Sequence, residues 1–323
     1  MHVHPLIAAL RSDPASQRRS QAAIELAMAK WRSGNWVKKI ERDLQQFGQG
    51  EPLRDLSALN ALMHNPDNAA ECVAQFNHAV IDCLKKEPLG ELPMRHISNA
   101  GFSRLQWMQA GGATLALCAY EHVANLQEPT VAQFADCETF EMIISGEARG
   151  AFHTLQFAGP NAPKVETKAV FWRAGDRIHR RASQDTRQVL VVKSSVLLLQ
   201  LSRLPKSPRP TREFRLCDSA LTNQASGDKK ASEKLMALSV LGALKHRDGI
   251  GAMDEFATNI AHDLHARWEA VRQILAMDAR CGMDLLERLA QRDADALAQP
   301  SRNLIEQLRQ TDPALAMMQK ERA

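Results

Sequence analysis

The chain has 323 residues, of which 45% are apolar and 24% are charged. This length exceeds the roughly 250–300 residues at which a single core stops growing, so it predicts more than one domain. The composition excludes a wholly disordered chain and a fibrous protein. The formal net charge is +4 at pH 7. Such a mild positive balance is compatible with anionic partners but, without a concentrated basic recognition helix, does not favour nucleic-acid binding.

The sequence has neither a secretory signal nor a membrane-spanning pattern. The first twenty residues lack a basic region ahead of their short apolar run, and the apolar stretch at 189–201 is interrupted by Lys193. The six cysteines are scattered without a CxxC pair, which is typical of reduced thiols rather than of a zinc or dithiol site. These features predict a cytoplasmic protein with no membrane association.

Residues 1–98 have the apolar spacing of amphipathic helices. Apolar residues recur at intervals of three and four, first at Val37, Ile40, Leu44 and Phe47 and then at Val73, Phe76, Val80 and Leu84. Asp67, next to Pro66, is the predicted cap of the second helix, and Pro88 is expected to end it. We therefore predict an N-terminal helical segment over 1–98.

Residues 99–217 have the pattern of short β-strands. Runs such as TLALCAYEHV, FEMIIS, AFHTLQF, KAVFW and RQVLVV are separated by turn sequences that include GG, SGE, GPNAP and AGD. Because no long helical pattern lies between the runs, the strands are expected to pair antiparallel in a sandwich or barrel. The predicted fold class is α+β, with a jelly-roll-like β domain over 99–217.

Residues 218–323 return to helical spacing. Leucines recur in one segment at Leu235, Leu238, Leu241 and Leu244, and further apolar positions follow at Ile260, Leu264, Trp268, Val271, Leu275, Leu285, Leu286 and Leu289. Helices of this length joined by short loops such as HRDGIG resemble the stacked pairs of HEAT-type repeats. Such a segment would offer a surface for a protein partner.

Two stretches of the β domain resemble the two conserved halves of a cupin barrel: FADCETFEMIISGEARGAF, and FWRAGDRIHRRASQDTRQVLVV with the VLLLQLSR that follows. The resemblance implies a jelly roll and, in most cupins, a metal site. Aligning the first-motif glycine on Gly146 puts the family's metal-binding glutamate at Thr139. Taking Gly175 as the start of the second motif puts a histidine at about Thr186. The two remaining histidines fall near Ala132 and Phe134, or at Gln133 and Ala135.

The usual cupin metal ligands are therefore missing, and with them the usual basis for oxygenase or isomerase activity. Cyclic-nucleotide-binding domains share an IISGE-like turn and an arginine ahead of a strand, here Arg187. The rest of their phosphate-binding cassette has no counterpart in this sequence.

The densest group of cations in the β domain lies between residues 173 and 187. The candidate ligand-binding residues are Arg173, Arg177, His179 and Arg187, because guanidinium groups bind carboxylates and phosphates in bidentate geometry. In a strand, Arg177 and His179 would share one face with Arg181. The alternative interpretation is a solvated strand edge, whose charges oppose edge-to-edge aggregation.

A metal site is the alternative for the same domain. His122, His153 and His179 fall in separate predicted strands or turns, and neutral imidazoles aimed inward bind divalent metals such as Fe, Zn or Mn. The preferred prediction is that there is no cofactor.

The sequence leaves three hypotheses for function open. The first is a binding or regulatory protein, in which a metal-free, cupin-like barrel holds a small molecule, such as an anion, or no ligand. Its helical arms would make protein contacts or a homodimer. The second is a metal-dependent cupin-type enzyme, an oxygenase or isomerase with atypical ligands. The third is an interaction scaffold that uses the C-terminal helices. Fingerprints of common enzymes, such as GxSxG, HExxH, P-loop and GxGxxG, are absent from the sequence.

Overall fold

The computed structural model describes residues 14–123, 128–157 and 163–311. The chain divides into two compact units, Met1–Gln224 and Ala225–Ala323. The predicted segments 1–98 and 99–217 both fall inside the first unit. The three-segment division stays a prediction, although the helices and the sheet of the first unit share one core.

The first unit begins with helices that pack around aromatic side chains. They are α1 (Ala15–Arg32), α2 (Asn35–Gln49), α3 (Ser57–His64), α4 (Pro66–Phe76) and α5 (Asp82–Lys86), with a 3₁₀ turn at Leu53–Asp55 and a π-helical turn at Asn77–Ile81. The predicted stripe of α2 is buried as expected. The cap predicted at Asp67 is wrong, because the cap of α4 is Asn65, two residues earlier, and Pro66 lies in the first turn of the helix. The Asn65 side chain accepts the Asp67 and Asn68 amides instead.

The strands follow as two sheets. They are β1 (His96–Asn99), β2 (Phe102–Ala110), β3 (Ala113–Tyr120), β4 (Val131–Phe134), β5 (Glu138–Phe157), β6 (Pro163–Arg173), β7 (Arg177–Arg180), β8 (Asp185–Arg203), β9 (Thr211–Arg215) and β10 (Leu221–Ala225). The large sheet has the order β1-β2-β3-β8-β5-β6, with β7 also paired to β5, and the small sheet has the order β10-β9-β4. Strand β5 pairs antiparallel with β6, β7 and β8. The predicted α+β class with antiparallel sheets is confirmed.

The two long strands β5 and β8 contribute side chains to both faces of the large sheet. One face packs on the helices, where Leu115, Met142 and Leu199 join the core formed by α1 to α5. Near its centre the ring of Trp107 lies 5.6 Å from that of Trp31 and 4.7 Å from that of Phe76, centroid to centroid. Packing on this face holds the helices and the sheet together in one unit.

The opposite face has a second core because the sheet folds over itself. Register shifts interrupt the pairing of β5 with β8 between Ile143 and Gly150, and such bulges bend a strand. Gly146 adopts a φ of +89°, and a Cβ there would lie 2.1 Å from the Ser195 carbonyl oxygen, so the bend requires glycine. The resulting cluster joins Ile143 and Leu198 to Trp172 and Val192, among other residues.

The folded sheet differs from the predicted barrel because its strand order has two ends and does not close. Strands β1 and β6 end the path, and no pairing joins them in the described residues. All four side chains of β1 are exposed. A closed cupin-like barrel is therefore not observed in the part of the chain that the structure describes, and a folded antiparallel sheet takes its place.

The small sheet covers the outer side of the second half of β5. Phe134 of β4 and Phe214 of β9 pack with Leu155 in a separate small core. The proline-rich stretch before β9 is held by Arg209, which binds the buried Asp136 carboxylate. The five residues after this stretch, Thr211–Arg215, form β9, which pairs antiparallel with β4.

The second unit is helical, as predicted. Its helices are α6 (Lys229–Ala243), α7 (Ile250–Thr258), α8 (Leu264–Met277), α9 (Ala279–Ala290) and α10 (Ala298–Thr311), with a 3₁₀ turn at Arg247–Gly249. Val271, Ile274 and Leu285 lie in its core. A buried ion pair joins Arg267 to Asp295 over 2.5 Å. The likeness to HEAT repeats stays a prediction. None of the described helices is both long and apolar enough to cross a membrane.

Candidate functional site

A buried carboxylate lies on the inner face of the folded sheet. Glu141 of β5 has a fully buried side chain. Its Oε1 accepts hydrogen bonds from Arg180, Arg187 and Gln200 at 3.0, 2.9 and 2.8 Å, and its Oε2 accepts one from Arg187 at 2.5 Å. Burial raises the pKa of this carboxyl, but the guanidiniums of Arg187 and Arg180 outweigh it and lower the pKa to about 2. Glu141 is therefore a carboxylate at neutral pH.

Arg187 approaches Glu141 from the far half of the sheet. Its strand partner on β5 is Phe152, and in a straight strand residues 141 and 152 would be about 36 Å apart. The direct hydrogen bonds between Arg187 and Glu141 are thus a consequence of the fold in the sheet. The guanidinium carbon also lies 5.2 Å from the ring centre of Tyr120 and 5.5 Å from that of Trp172.

Arg187 retains unused donors. Its Nε and Nη2 bind Glu141, and Nη2 also donates to the Tyr120 hydroxyl at 3.3 Å. A guanidinium has five N–H groups, and the two on Nη1 have no hydrogen-bond partner within the described residues. Only 5% of the side chain is exposed. The arginine is therefore fixed in position while part of its donor capacity is free.

The cluster around Glu141 carries more positive than negative charge. Arg180 and Arg187 share one carboxylate. A third arginine, Arg104, lies opposite Cys118 in the pairing of β2 with β3. The Nε atoms of Arg104 and Arg180 are buried without a hydrogen-bond partner in the described part of the chain. The net positive charge of the three arginines and one carboxylate favours an anion nearby.

A cleft of about 640 Å³ adjoins this cluster. It lies where β3 ends at Tyr120 while β8 continues past it. Its lining is formed by residues 100–102, 120–123, 187 and 189–192. The Nδ1 of His122 lies 3.3 Å from the Val192 carbonyl oxygen and so connects the two sides. Among the described residues that line the cleft, Arg187 is the only lysine or arginine.

The rest of the lining is largely apolar. The rings of Phe102 and Tyr120 are 4.8 Å apart at an angle of 46°, and Val189 and Val192 belong to β8 nearby. Burial raises the pKa of the Tyr120 phenol, which therefore stays protonated at neutral pH. An apolar cleft with a few convergent polar groups is typical of a small-molecule site.

Of the four predicted ligand-binding residues, Arg187 alone lines the cleft. Arg173 and Arg177 are exposed. The imidazole of His179 stacks on Phe140, with centroids 4.3 Å apart, and its Nε2 lies 3.3 Å from Glu138. Phe140 packs towards the core shared with the helices. The structure therefore does not bring the four residues into one site.

The three histidines of the metal alternative also lie apart. His122 lines the cleft, His179 stacks on Phe140, and His153 is buried with Nδ1 and Nε2 each 2.9 Å from a side-chain oxygen, of Thr167 and Gln188 respectively. Within the described residues, no group of three or more His, Cys, Asp and Glu side chains is placed to hold a metal ion. The cofactor state of the protein is not established by this arrangement.

Sequence reasoning missed Glu141, Tyr120 and Arg180 as members of the site. One signal was present, because Glu141 lies between the apolar Phe140 and Met142 in the β-prone run FEMIIS. A carboxylate at such a position requires a cationic partner. The sequence alone did not show that this partner was Arg187, 46 residues later.

Comparisons with known proteins give no family for this chain. No protein-family model matches the sequence, and no curated protein matches it. Among solved structures, an RmlC-like cupin from Shewanella frigidimarina NCIMB 400 is 12% identical, with a TM-score of 0.24, over 35% of this chain and 86% of that one. A domain of CENP-C from Drosophila melanogaster is 13% identical over 34% of this chain and 72% of that one, with a TM-score of 0.26.

A 7S globulin from Momordica charantia is 12% identical, with a TM-score of 0.27, over 38% of this chain and 35% of that one. TM-scores and identities this low establish neither a family nor a function. The fold described above therefore rests on the pairing of the strands themselves.

Proposed function

We propose that the first unit binds a small organic anion in the cleft beside Arg187. The observation that carries the proposal is the buried guanidinium itself, held by Glu141 and by the Tyr120 and Trp172 rings, with unused Nη1 donors at an apolar cleft. A charged donor that is already fixed loses little conformational entropy when a carboxylate binds. The excess of guanidinium over carboxylate around Glu141 adds electrostatic support.

In this proposal the β domain is a divergent, jelly-roll-like relative of the cupins. The Glu141–Arg187 pair occupies the interior, where the family resemblance would place metal chemistry. Ligand binding then needs no metal. Protein contacts through residues 225–323 and self-association stay predictions that this site does not require.

A thermal-shift series tests anion binding on the full chain. Small aliphatic and aromatic carboxylates are compared with carboxamides of the same shape at constant ionic strength. We expect saturable rises in the unfolding midpoint with the carboxylates alone, and their loss in a Val191→Trp variant that fills the cleft. Val191 lines the cleft and is 39% exposed, so a larger side chain there should be compatible with folding. Equal effects of acids and amides, or undiminished binding by the variant, would overturn the proposal.

Metal analysis tests the metal-free part of the proposal. Protein purified without a histidine tag or a chelator is measured by mass spectrometry beside the triple alanine variant of His122, His153 and His179. We expect substoichiometric metal in both proteins. Near-stoichiometric metal that disappears in the variant would replace this proposal with the metal-dependent enzyme.

A further inference from the structure

We infer that the ligand of the cleft is an organic monocarboxylate with a flat, aromatic or conjugated body. This inference rests on the proposed function and names the chemical class of the anion. It follows from three features of the cleft: the number of cations in its lining, the position of acidic groups, and the arrangement of its rings.

The charges in the lining are suited to a ligand with one negative charge. Arg187 is the only lysine or arginine in the described part of the lining, and much of the Arg187 charge is already balanced by Glu141. Glu121 also lines the cleft, and a second negative charge on the ligand would be repelled by it. A phosphate or dicarboxylate therefore fits poorly, whereas two N–H groups on Nη1 suffice for one carboxylate.

The apolar part of the lining favours a ring. Phe102 and Tyr120 form an inclined aromatic pair on one side, and Val189 lies on the neighbouring strand. Aromatic ligands gain edge or offset stacking against such rings beyond the burial of apolar area. A cleft of about 640 Å³ is within the range of roughly 300–1,000 Å³ that holds molecules of this size.

Titration calorimetry on the full chain tests the inference with four probes. They are 2-naphthoate, octanoate, 2-naphthamide and inorganic phosphate. We expect 2-naphthoate to bind about threefold or more tightly than octanoate, because only the aromatic acid stacks on the rings. The amide should bind at least tenfold more weakly than 2-naphthoate because it lacks the charge. Phosphate should not displace 2-naphthoate.

A Phe102→Leu variant separates stacking from general binding. It removes one ring but keeps an apolar side chain, so we expect the preference for 2-naphthoate over octanoate to fall while octanoate affinity stays within about twofold. The matched control is Phe171→Leu, since Phe171 is 44% exposed and does not line the cleft. It should leave both affinities unchanged.

The outcomes distinguish the inference from the proposed function. Octanoate binding as tightly as 2-naphthoate would overturn the aromatic body of the ligand. Displacement of 2-naphthoate by phosphate would overturn the monocarboxylate class. Either result would leave anion binding intact. An amide that binds as well as the acid, or no binding of any anion in the series, would overturn anion binding itself.

Discussion

Arg187 and Glu141 lie on opposite halves of one folded sheet and meet through two hydrogen bonds, from Nε at 2.5 Å and from Nη2 at 2.9 Å. Both side chains are almost completely shielded from solvent. The burial of two charges is tolerated because their geometry is bidentate and because Arg180, Gln200 and Tyr120 add further hydrogen bonds. The pair therefore both holds the fold of the sheet and orients the cation of the cleft.

Removing one partner of this pair should be strongly destabilising. Glu141→Gln leaves the Arg187 charge buried without a counter-ion, and we expect a loss of about 3–5 kcal/mol in the free energy of unfolding. Replacing both charges, as Glu141→Leu with Arg187→Met, should recover part of this loss because the two most deeply buried charges are removed together. Arg180 loses its partner in this variant, but its side chain is 20% exposed and can be solvated. Urea unfolding of the single and double variants measures both effects. Glu25→Gln, at an exposed helical position, is the control. A Glu141→Gln protein as stable as this control would refute the role of the pair.

The depressed pKa of Glu141 predicts a loss of stability in acid. An unfolded glutamate titrates near 4.5 and the folded carboxyl near 2, so the unfolded chain binds the proton more readily. The stabilisation, on the order of 3 kcal/mol, is complete above pH 4.5 and declines as the pH falls from 4.5 towards 2. Unfolding free energies across this window should fall more steeply for the wild type than for the Glu141→Leu, Arg187→Met double variant. Parallel profiles would contradict this assignment.

His153 should cause a second decline in the free energy of unfolding, at milder acidity. Burial lowers the pKa of its imidazole below the ordinary 6.5, with the Gln188 hydrogen bond opposing the shift. As the pH falls, the His153 imidazole is protonated in the unfolded chain before it is protonated in the folded protein. The contribution of the neutral, buried imidazole to stability is therefore complete above pH 6.5 and is lost as the pH falls below that value. His153→Gln should remove this part of the pH dependence, whereas His246→Gln, at an exposed position, should not. The test is the slope of unfolding free energy between pH 7 and about 5.

The shared core predicts which fragments fold. A fragment of residues 99–217 would expose Trp107, Leu115 and Leu199, which pack on the N-terminal helices, and we expect it to aggregate or bind hydrophobic dyes. A fragment of residues 1–224 keeps both partners and should unfold cooperatively. Thermal unfolding followed by circular dichroism compares the two. A monomeric, cooperative 99–217 fragment would show that the sheet does not depend on the helices.

The elements of the fold were largely predictable from local patterns. The spacing of Val37, Ile40, Leu44 and Phe47 located α2, and the β-prone runs FEMIIS and VLLLQL located parts of β5 and β8. The cap of α4 was misplaced by two residues, because Asn65 and Asp67 are both good capping residues and only the position of Pro66 in the helix separates them.

Long-range relationships were not predictable in the same way. Arg187 was a candidate, but its grouping with Arg173, Arg177 and His179 relied on closeness in sequence. The bulges between Ile143 and Gly150 instead carry Arg187 across to Glu141. Bulge positions and strand register depend on tertiary packing, which a single sequence does not specify. The same limit applies to His122, His153 and His179, because the sequence does not specify whether histidines in separate strands converge.

Anion binding by Arg187 is tested most directly by a crystal structure of the full chain grown with 2-naphthoate. We expect a carboxylate oxygen about 3 Å from Nη1 of Arg187, the ring against Phe102 and Tyr120, and the hydrogen bonds between Arg187 and Glu141 retained. A naphthoate bound away from Arg187, with the cleft beside it empty, would contradict the proposed function.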